Sequence, residues 1–254
     1  MHAPHPYRST VLAIPAIVIL LLGASAPASA QAPAAPMRDW TGTAGIGFSV
    51  TSGNSDTTNV NIAFDVKYDP KTKNLMKFTG LYLRGDKDDE LTVDRTGLGF
   101  RDEYSITPRF FVFGQLDYLR DSFKLIDYLL APTGGVGYRV IDTMRTQFEV
   151  DGGAGGVWEK NPGIDVRKSG ALTAGEKLTH QLTATATVKE GVTALWKTDD
   201  FSDSLYNFSA GIGVKVTEIF QISVDLLDTY KNLPPTPETK KNDVALVTAF
   251  AAKF

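Results

Sequence analysis

The chain has 254 residues, a formal net charge of −3 at pH 7 and no cysteine. The mild excess of acidic residues argues against a nucleic-acid partner, because nucleic-acid binding needs a basic surface. The absence of cysteine excludes a disulfide framework, so the fold must be stabilised by packing and hydrogen bonds.

Residues 1–30 have the organisation of a secretory signal peptide. Arg8 precedes an apolar run over residues 11–23, and small residues then lead to Ala28-Ser29-Ala30. A charged start, an apolar centre and an A-x-A end predict export and cleavage after Ala30. An uncleaved anchor is the alternative, although the run is shorter than the ~20 apolar residues of a membrane-spanning helix.

A Pro/Ala-rich stretch over residues 31–39 is expected to be a flexible lead-in, and the barrel domain described next is expected over residues 40–254. From Trp40 onward apolar and polar residues alternate, as in residues 60–68 (VNIAFDVKY). Period two gives a strand one apolar face and one polar or small face. The runs lack the spacings of three and four that mark an amphipathic helix.

The breaks between these strands alternate between tight turns and longer, more polar loops. Short turns on one side and long loops on the other are typical of outer-membrane barrels. The pattern predicts an all-β fold, a transmembrane antiparallel up-and-down β-barrel of about twelve strands, with both chain ends on the periplasmic side. The predicted turns are residues 69–73, 107–109, 141–144, 179–180 and 217–219; the predicted loops are residues 51–58, 86–90, 121–127, 159–165, 195–203 and 231–242.

Aromatic residues cluster toward the ends of the predicted strands, which suggests two interfacial girdles. The core of a soluble β-sandwich is the alternative, since its strands also alternate. The rings beside the turns are Tyr68, Tyr104, Phe110, Tyr138 and Phe220; those toward the loops are Tyr118, Tyr128, Trp158 and Tyr230.

The last predicted strand is amphipathic and carries Phe250 and Phe254 at alternate positions. A terminal aromatic on such a strand resembles the recognition signal of the outer-membrane barrel assembly machinery. Ala252 stands where a second aromatic is usual.

The opening of the barrel region reads W-x-G at Trp40, then Gly47-Phe48, then Gly53-Asn54-Ser55. With the later segment LRGD at residues 83–86, it resembles the YdiY-like family of putative salt-induced outer-membrane proteins. These are barrels grouped under a domain of unknown function. The resemblance implies an outer-membrane location and brings no catalytic residues.

No enzyme activity, cofactor or structural metal is expected. His180 is the single histidine after the signal peptide, and it falls in a predicted periplasmic turn without a Ser–Asp pair for nucleophilic catalysis. Oxygen clusters such as the acidic loop at residues 86–90 can bind divalent cations that bridge lipopolysaccharide phosphates. A merely solvated loop is the alternative.

Charged residues of both signs fall on the predicted inward faces. A charged lumen can be a wet, ion-filtering pore or a plug of paired charges, and the residues alone leave both open. The predicted lumen-lining residues are Asp65, Lys67, Arg84, Asp117, Arg139, Arg145, Glu149, Asp151, Lys189, Lys215 and Asp225.

Two functions follow from these alternatives. The first is a small porin-like channel for ions or small polar solutes. The second is a closed structural barrel that serves salt or envelope-stress adaptation without transport. An outer-membrane enzyme and a soluble periplasmic β-protein are less favoured. The expected partners are outer-membrane lipid, lipopolysaccharide and the barrel assembly machinery.

Overall fold

The computed structural model describes residues 39–52, 57–87 and 90–254. The predicted signal peptide, its cleavage site and most of the lead-in lie outside the described residues and stay predictions. The Gly53-Asn54-Ser55 motif and the tip of the acidic loop also lie outside them.

Within the described residues, twelve antiparallel strands form one closed barrel in which each strand pairs with its chain neighbours and β1 pairs with β12. The predicted up-and-down barrel is therefore confirmed, and the soluble sandwich is wrong. In the described part of the chain no helix is long and apolar enough to cross a membrane. The strands are β1 (Trp40–Ser52), β2 (Thr57–Tyr68), β3 (Asn74–Lys87), β4 (Glu90–Ser105), β5 (Phe110–Asp121), β6 (Ile126–Asp142), β7 (Thr146–Lys160), β8 (Arg167–Gln181), β9 (Ala186–Lys197), β10 (Ser204–Lys215), β11 (Phe220–Lys231) and β12 (Asn242–Lys253).

The alternation in the sequence separates an apolar outer wall from a polar inner wall. On β1, Ile46 and Phe48 point outward and are 65% and 67% exposed, whereas Ser49 points inward and is buried. Aromatic contacts lie at both ends of the strands. Trp40 and Tyr68 meet at the turn end with ring centroids 4.6 Å apart.

At the loop end the indole Nε1 of Trp196 donates to the Tyr206 hydroxyl over 2.9 Å. An apolar band between two aromatic girdles is the exterior of a membrane-spanning barrel. The protein is an outer-membrane β-barrel, and the periplasmic orientation of its short turns stays a prediction.

One predicted turn is wrong. Thr179 and His180 belong to β8, and the turn lies at residues 182–185, where Thr183 Oγ1 accepts a hydrogen bond from the Ala186 amide over 2.9 Å. Leu182 and Ala184 continue the apolar alternation through this turn, so the sequence period conceals it. A threonine side chain that bonds its own backbone closes the turn without glycine or proline.

The predicted loop over residues 121–127 shrinks to residues 122–125. Asp121 closes it, because its Oδ1 accepts hydrogen bonds from the amides of Phe123 and Lys124 at 3.0 and 3.2 Å. Leu125 has a φ of 52°. The contrast between long loops and short turns therefore comes mainly from residues 161–166, 198–203 and 232–241.

Candidate functional site

The loop end of the lumen contains a closed ring of four buried charges, which we call the loop-end ring: Glu159 on β7, Lys197 on β9, Asp203 before β10 and Lys231 on β11. The ammonium of Lys197 lies 2.6 Å from Glu159 Oε2 and 2.5 Å from Asp203 Oδ2. The ammonium of Lys231 lies 3.0 Å from Glu159 Oε1 and 3.3 Å from Asp203 Oδ1. All four side chains are only 2–3% exposed. Each cation therefore pairs with both anions, as buried charges require.

Two further links cross the lumen at this end. Arg95 on β4 donates from Nη1 to Thr229 Oγ1 on β11 over 2.8 Å, although four strands separate β4 from β11 around the barrel. Lys124, which is fully buried, lies 2.8 Å from Asp243 Oδ2 and donates to the carbonyl of Lys241. Burial lowers the pKa of Lys124, and the Asp243 carboxylate opposes that shift.

Apolar side chains fill the remaining space at the loop end. They form a packed cluster on the inner faces of β5 to β10, where an open pore would carry polar groups. Between this end of β4 and β12 there is room for about 20 Å³, which holds no more than a single water. The cluster consists of Leu119, Ile126, Leu129, Ala131, Val157, Ala171 and Leu205.

Ion pairs on β3, β4 and β7 form the turn-end belt, which is Lys77, Arg101, Glu103, Glu149 and Asp151. Lys77 Nζ lies 2.7 Å from Glu103 Oε1 and 3.1 Å from Glu149 Oε1. Arg101 Nε lies 2.9 Å from Glu103 Oε1, and Arg101 Nη2 lies 3.0 Å from Asp151 Oδ2. The Lys77–Glu149 and Arg101–Asp151 contacts join strands that are not neighbours, so the belt narrows the lumen without crossing all of it.

Two phenylalanines on the inner face of β5 pack under the guanidinium groups. Arg101 lies 3.7 Å from the centroid of the Phe113 ring, and Arg139 lies 4.7 Å from that of Phe111. A desolvated cation over an aromatic face is attracted by about 2 kcal/mol. This side of the turn end is consequently rigid and balanced in charge.

The opposite wall of the turn end carries an excess of lysine. Lys177, Lys189, Lys215 and Lys253 lie on the inner faces of β8, β9, β10 and β12. Lys189 pairs with Asp65 across the lumen at 3.7 Å, and the two side chains are 54% and 44% exposed. Inward-facing residues of a closed barrel can be exposed only to water in the lumen. The turn end is therefore wet, whereas the loop end is filled.

Residues 44–254 match a family described as protein of unknown function, DUF481. The chain belongs to the DUF481 family. The match covers the barrel from β1 to its last residue. No curated protein of known sequence is significantly similar to the chain.

Several solved structures share the fold of this DUF481 barrel. The NanC porin superposes with a TM-score of 0.57 at 8% identity, covering 83% of this chain and all of that one. An outer-membrane channel from Pseudomonas putida F1 superposes with a TM-score of 0.52 at 10% identity, covering 86% and 97%. The translocator domain of the autotransporter NalP from Neisseria meningitidis gives 0.50 at 10% identity, covering 86% and 89%. At these identities the likeness establishes a porin-like barrel and no substrate.

Two predicted lumen residues of the DUF481 barrel are not in the lumen. Arg84 pairs with the outward-facing Val60, while its neighbour Leu83 points inward and is 2% exposed. Residues 75–84 (LMKFTGLYLR) are apolar on both faces for part of their length, so the alternation does not show which face Arg84 occupies. Arg145 lies in the turn after β6, where its Nε donates to the Gln181 carbonyl at the rim of the turn end. The other predicted positions lie on inner faces: Asp65, Lys67, Asp117, Arg139, Glu149, Asp151, Lys189, Lys215 and Asp225.

Sequence reasoning missed the loop-end ring altogether. Glu159, Lys197 and Lys231 each share an inward face with Asp151, Lys189 and Asp225, but they fell in segments predicted as loops. Extending each strand by one to three residues in register would have found them. The belt residues Lys77, Arg101 and Glu103 were also missed; the contacts of Lys77 with Glu149 and of Arg101 with Asp151 join strands far apart in sequence.

The remaining sites lie at the turn end. Phe250 is half-exposed on the outer wall and stacks on Phe220 with centroids 5.0 Å apart. The backbone of Phe254 exchanges two hydrogen bonds of 3.1 Å with Gly42, which closes the barrel seam. Their role as an assembly signal stays a prediction. His180 Nδ1 lies 2.8 Å from Thr146 Oγ1 on the outer wall, away from the lumen.

Proposed function

We propose that this DUF481 barrel is a narrow porin-like channel for ions and small polar solutes that rests closed at its loop end. The observation that supports this proposal is the difference in side-chain exposure between the two ends of the lumen. Lys189 and Asp65 at the turn end are 54% and 44% exposed, whereas Lys197 and Asp203 at the loop end are both 3% exposed. A wet polar route thus leads from the periplasm to a paired and removable obstruction.

The loop-end ring has the composition of a gate. Its two cations and two anions balance each other, with the half-exposed Arg167 3.6 Å from Asp203 Oδ2 at its edge, so the ring itself presents no fixed electrostatic barrier once its members separate. Asp203 belongs to the loop over residues 198–203 and can move with it. On the outer side of the ring lies a pocket of about 270 Å³ whose lining includes Glu159, Arg167 and Lys231. A polar solute in this pocket would compete directly for the charges of the ring.

Single-channel recording in planar bilayers tests the proposal. The refolded wild-type barrel should show rare, brief current steps. The double variant Glu159→Gln/Asp203→Asn leaves two buried lysines facing each other without a counter-ion, and it should show frequent or persistent steps. Asp199→Asn/Asp200→Asn removes two exposed charges from the same loop and should behave like wild type. An inserted double variant that passes no current at any salt concentration would overturn the proposal.

A second candidate is the closed structural barrel expected from the sequence, with a role in salt or envelope-stress adaptation. The apolar cluster around Leu129, Val157 and Leu205 favours it, because these packed side chains block the lumen even when the ion pairs of the ring separate. On this proposal the barrel acts through its loops, with outer-membrane lipid and lipopolysaccharide as partners after insertion by the assembly machinery. A deletion strain should then be sensitive to salt or detergent, and a variant without current should restore tolerance.

A further inference from the structure

The four lysines of the turn end face one another across a wet space. The inner-face partner of Lys177 on β9 is Gly191, and that of Lys189 on β10 is Gly211. Lys215 and Lys253 lie on β10 and β12, one strand apart. We call the space between Lys177, Lys189, Lys215 and Lys253 the lysine chamber.

The charge of this chamber is only partly compensated by the protein, because Asp65 and Glu149 attract Lys177, and Glu218 attracts Lys253, without direct ion pairs. In the described part of the chain, no carboxylate oxygen lies within 4 Å of the ammonium groups of Lys177, Lys215 and Lys253, and Lys189 has only the exposed Asp65. Glu149, which is near Lys177, is held by Lys77 at 3.1 Å. The lysines also act on one another, since Lys77 and Lys189 both repel Lys177. Like charges at short range inside a low-dielectric wall attract mobile anions.

The chamber also has space and hydrogen-bond donors. A methyl group added to Gly213 would meet no atom within 4 Å, so the inner wall is open beside Lys215. Hydroxyl groups stand between the lysines on the inner faces, including that of Ser209, which donates to the carbonyl of Gly191. Lysine ammonium groups and hydroxyls suit the oxygens of phosphate and carboxylate groups and tolerate varied geometry.

We propose that the lysine chamber binds multivalent oxyanions, namely solutes carrying phosphate or several carboxylates, which enter from the periplasmic side. The inference rests on the proposed channel for its physiological use and names the substrate class of that channel. The binding itself does not require the loop-end ring to open. Because that ring carries no net charge, the chamber sets the anion preference of the open state.

Calorimetric titration with inorganic pyrophosphate at low ionic strength tests the inference on the refolded barrel in neutral detergent. The double variant Lys177→Gln/Lys189→Gln should bind pyrophosphate at least tenfold more weakly than wild type. Lys160→Gln/Lys168→Gln removes the same charge at the loop end and should leave binding unchanged. A heat-shift gel establishes that each variant is folded. Absent wild-type binding, or equal binding by the chamber variant, would overturn the inference.

Two outcomes separate this inference from the proposed channel. Pyrophosphate binding in a protein whose ring variant passes no current would sustain the chamber and refute the channel. Current through the ring variant without pyrophosphate binding would support the channel and refute the chamber.

An added phospholipid with an anionic headgroup distinguishes a soluble phosphate ligand from a lipid one. Displacement of pyrophosphate by the lipid would overturn a solute ligand, and absence of competition would support it.

Discussion

The ammonium of Lys231 on β11 lies 3.0 Å from the Glu159 carboxylate on β7, although three strands separate the two around the barrel. Both side chains are nearly inaccessible to water. Both side chains therefore reach into the lumen at the loop end, where the apolar cluster fills the remaining volume. The same barrel is wet at its turn end. A lumen that changes from solvated to packed along its length is the main structural property of the protein.

Glu159→Gln is expected to destabilise the barrel by about 3–5 kcal/mol, because it leaves Lys197 and Lys231 buried with one shared anion. Urea unfolding in detergent, followed by the heat-shift of the folded band, measures this loss. Glu238→Gln removes an exposed carboxylate in the loop over residues 232–241 and serves as the control. Equal stability of the two variants would show that the loop-end ring is not closed.

The buried Lys124 gives the barrel a pH-dependent stability in the alkaline range. Burial lowers its pKa below the usual value of 10.5. Between the folded-state pKa and 10.5 the unfolded chain binds more protons, so the free energy of unfolding rises with pH in that window. Lys124→Met should flatten this rise. Unfolding of both proteins across the alkaline range measures the difference, and identical slopes would contradict the burial of the ammonium.

Gly135→Ala is expected to cost about 1–3 kcal/mol. A Cβ on Gly135 would overlap the carbonyl oxygen of Gly152 and lie 2.6 Å from the Cα of Gly153 on β7. Gly114→Ala on β5 is the matched control, since a Cβ there meets no atom within 4 Å. Thermal unfolding of the two variants compares them. If Gly135→Ala were as stable as the control, β6 and β7 would not approach as closely as described.

Much of the fold could be predicted because lipid imposes a period-two rule on every strand. In residues 60–68 the alternation is regular enough to predict both the strand and its outward face. The rule fails where a turn keeps the alternation, as at Leu182 and Ala184, or where both faces are apolar, as around Arg84. In the first case the period does not show where the strand ends, and in the second it does not show which face is buried.

The candidate site was less accessible to prediction for a different reason. Asp65 and Lys189 were both predicted to line the lumen, but their pairing depends on barrel circumference and strand stagger, which no local pattern contains. Lys197 and Lys231 were assigned to loops because charged residues at strand ends usually face water. Their burial depends on contacts with Glu159, far away in the chain.

Thiol reactivity along the lumen tests most directly the claim that the barrel is wet at one end and filled at the other. The chain has no cysteine, so single substitutions report one position each. Thr79→Cys on the exposed inner face at the turn end should react rapidly with a small cationic methanethiosulfonate. Val157→Cys, at an inner-face position 1% exposed at the loop end, should stay unreacted until Glu159→Gln/Asp203→Asn is added. Rapid reaction of Val157→Cys in the otherwise wild-type barrel would contradict the account.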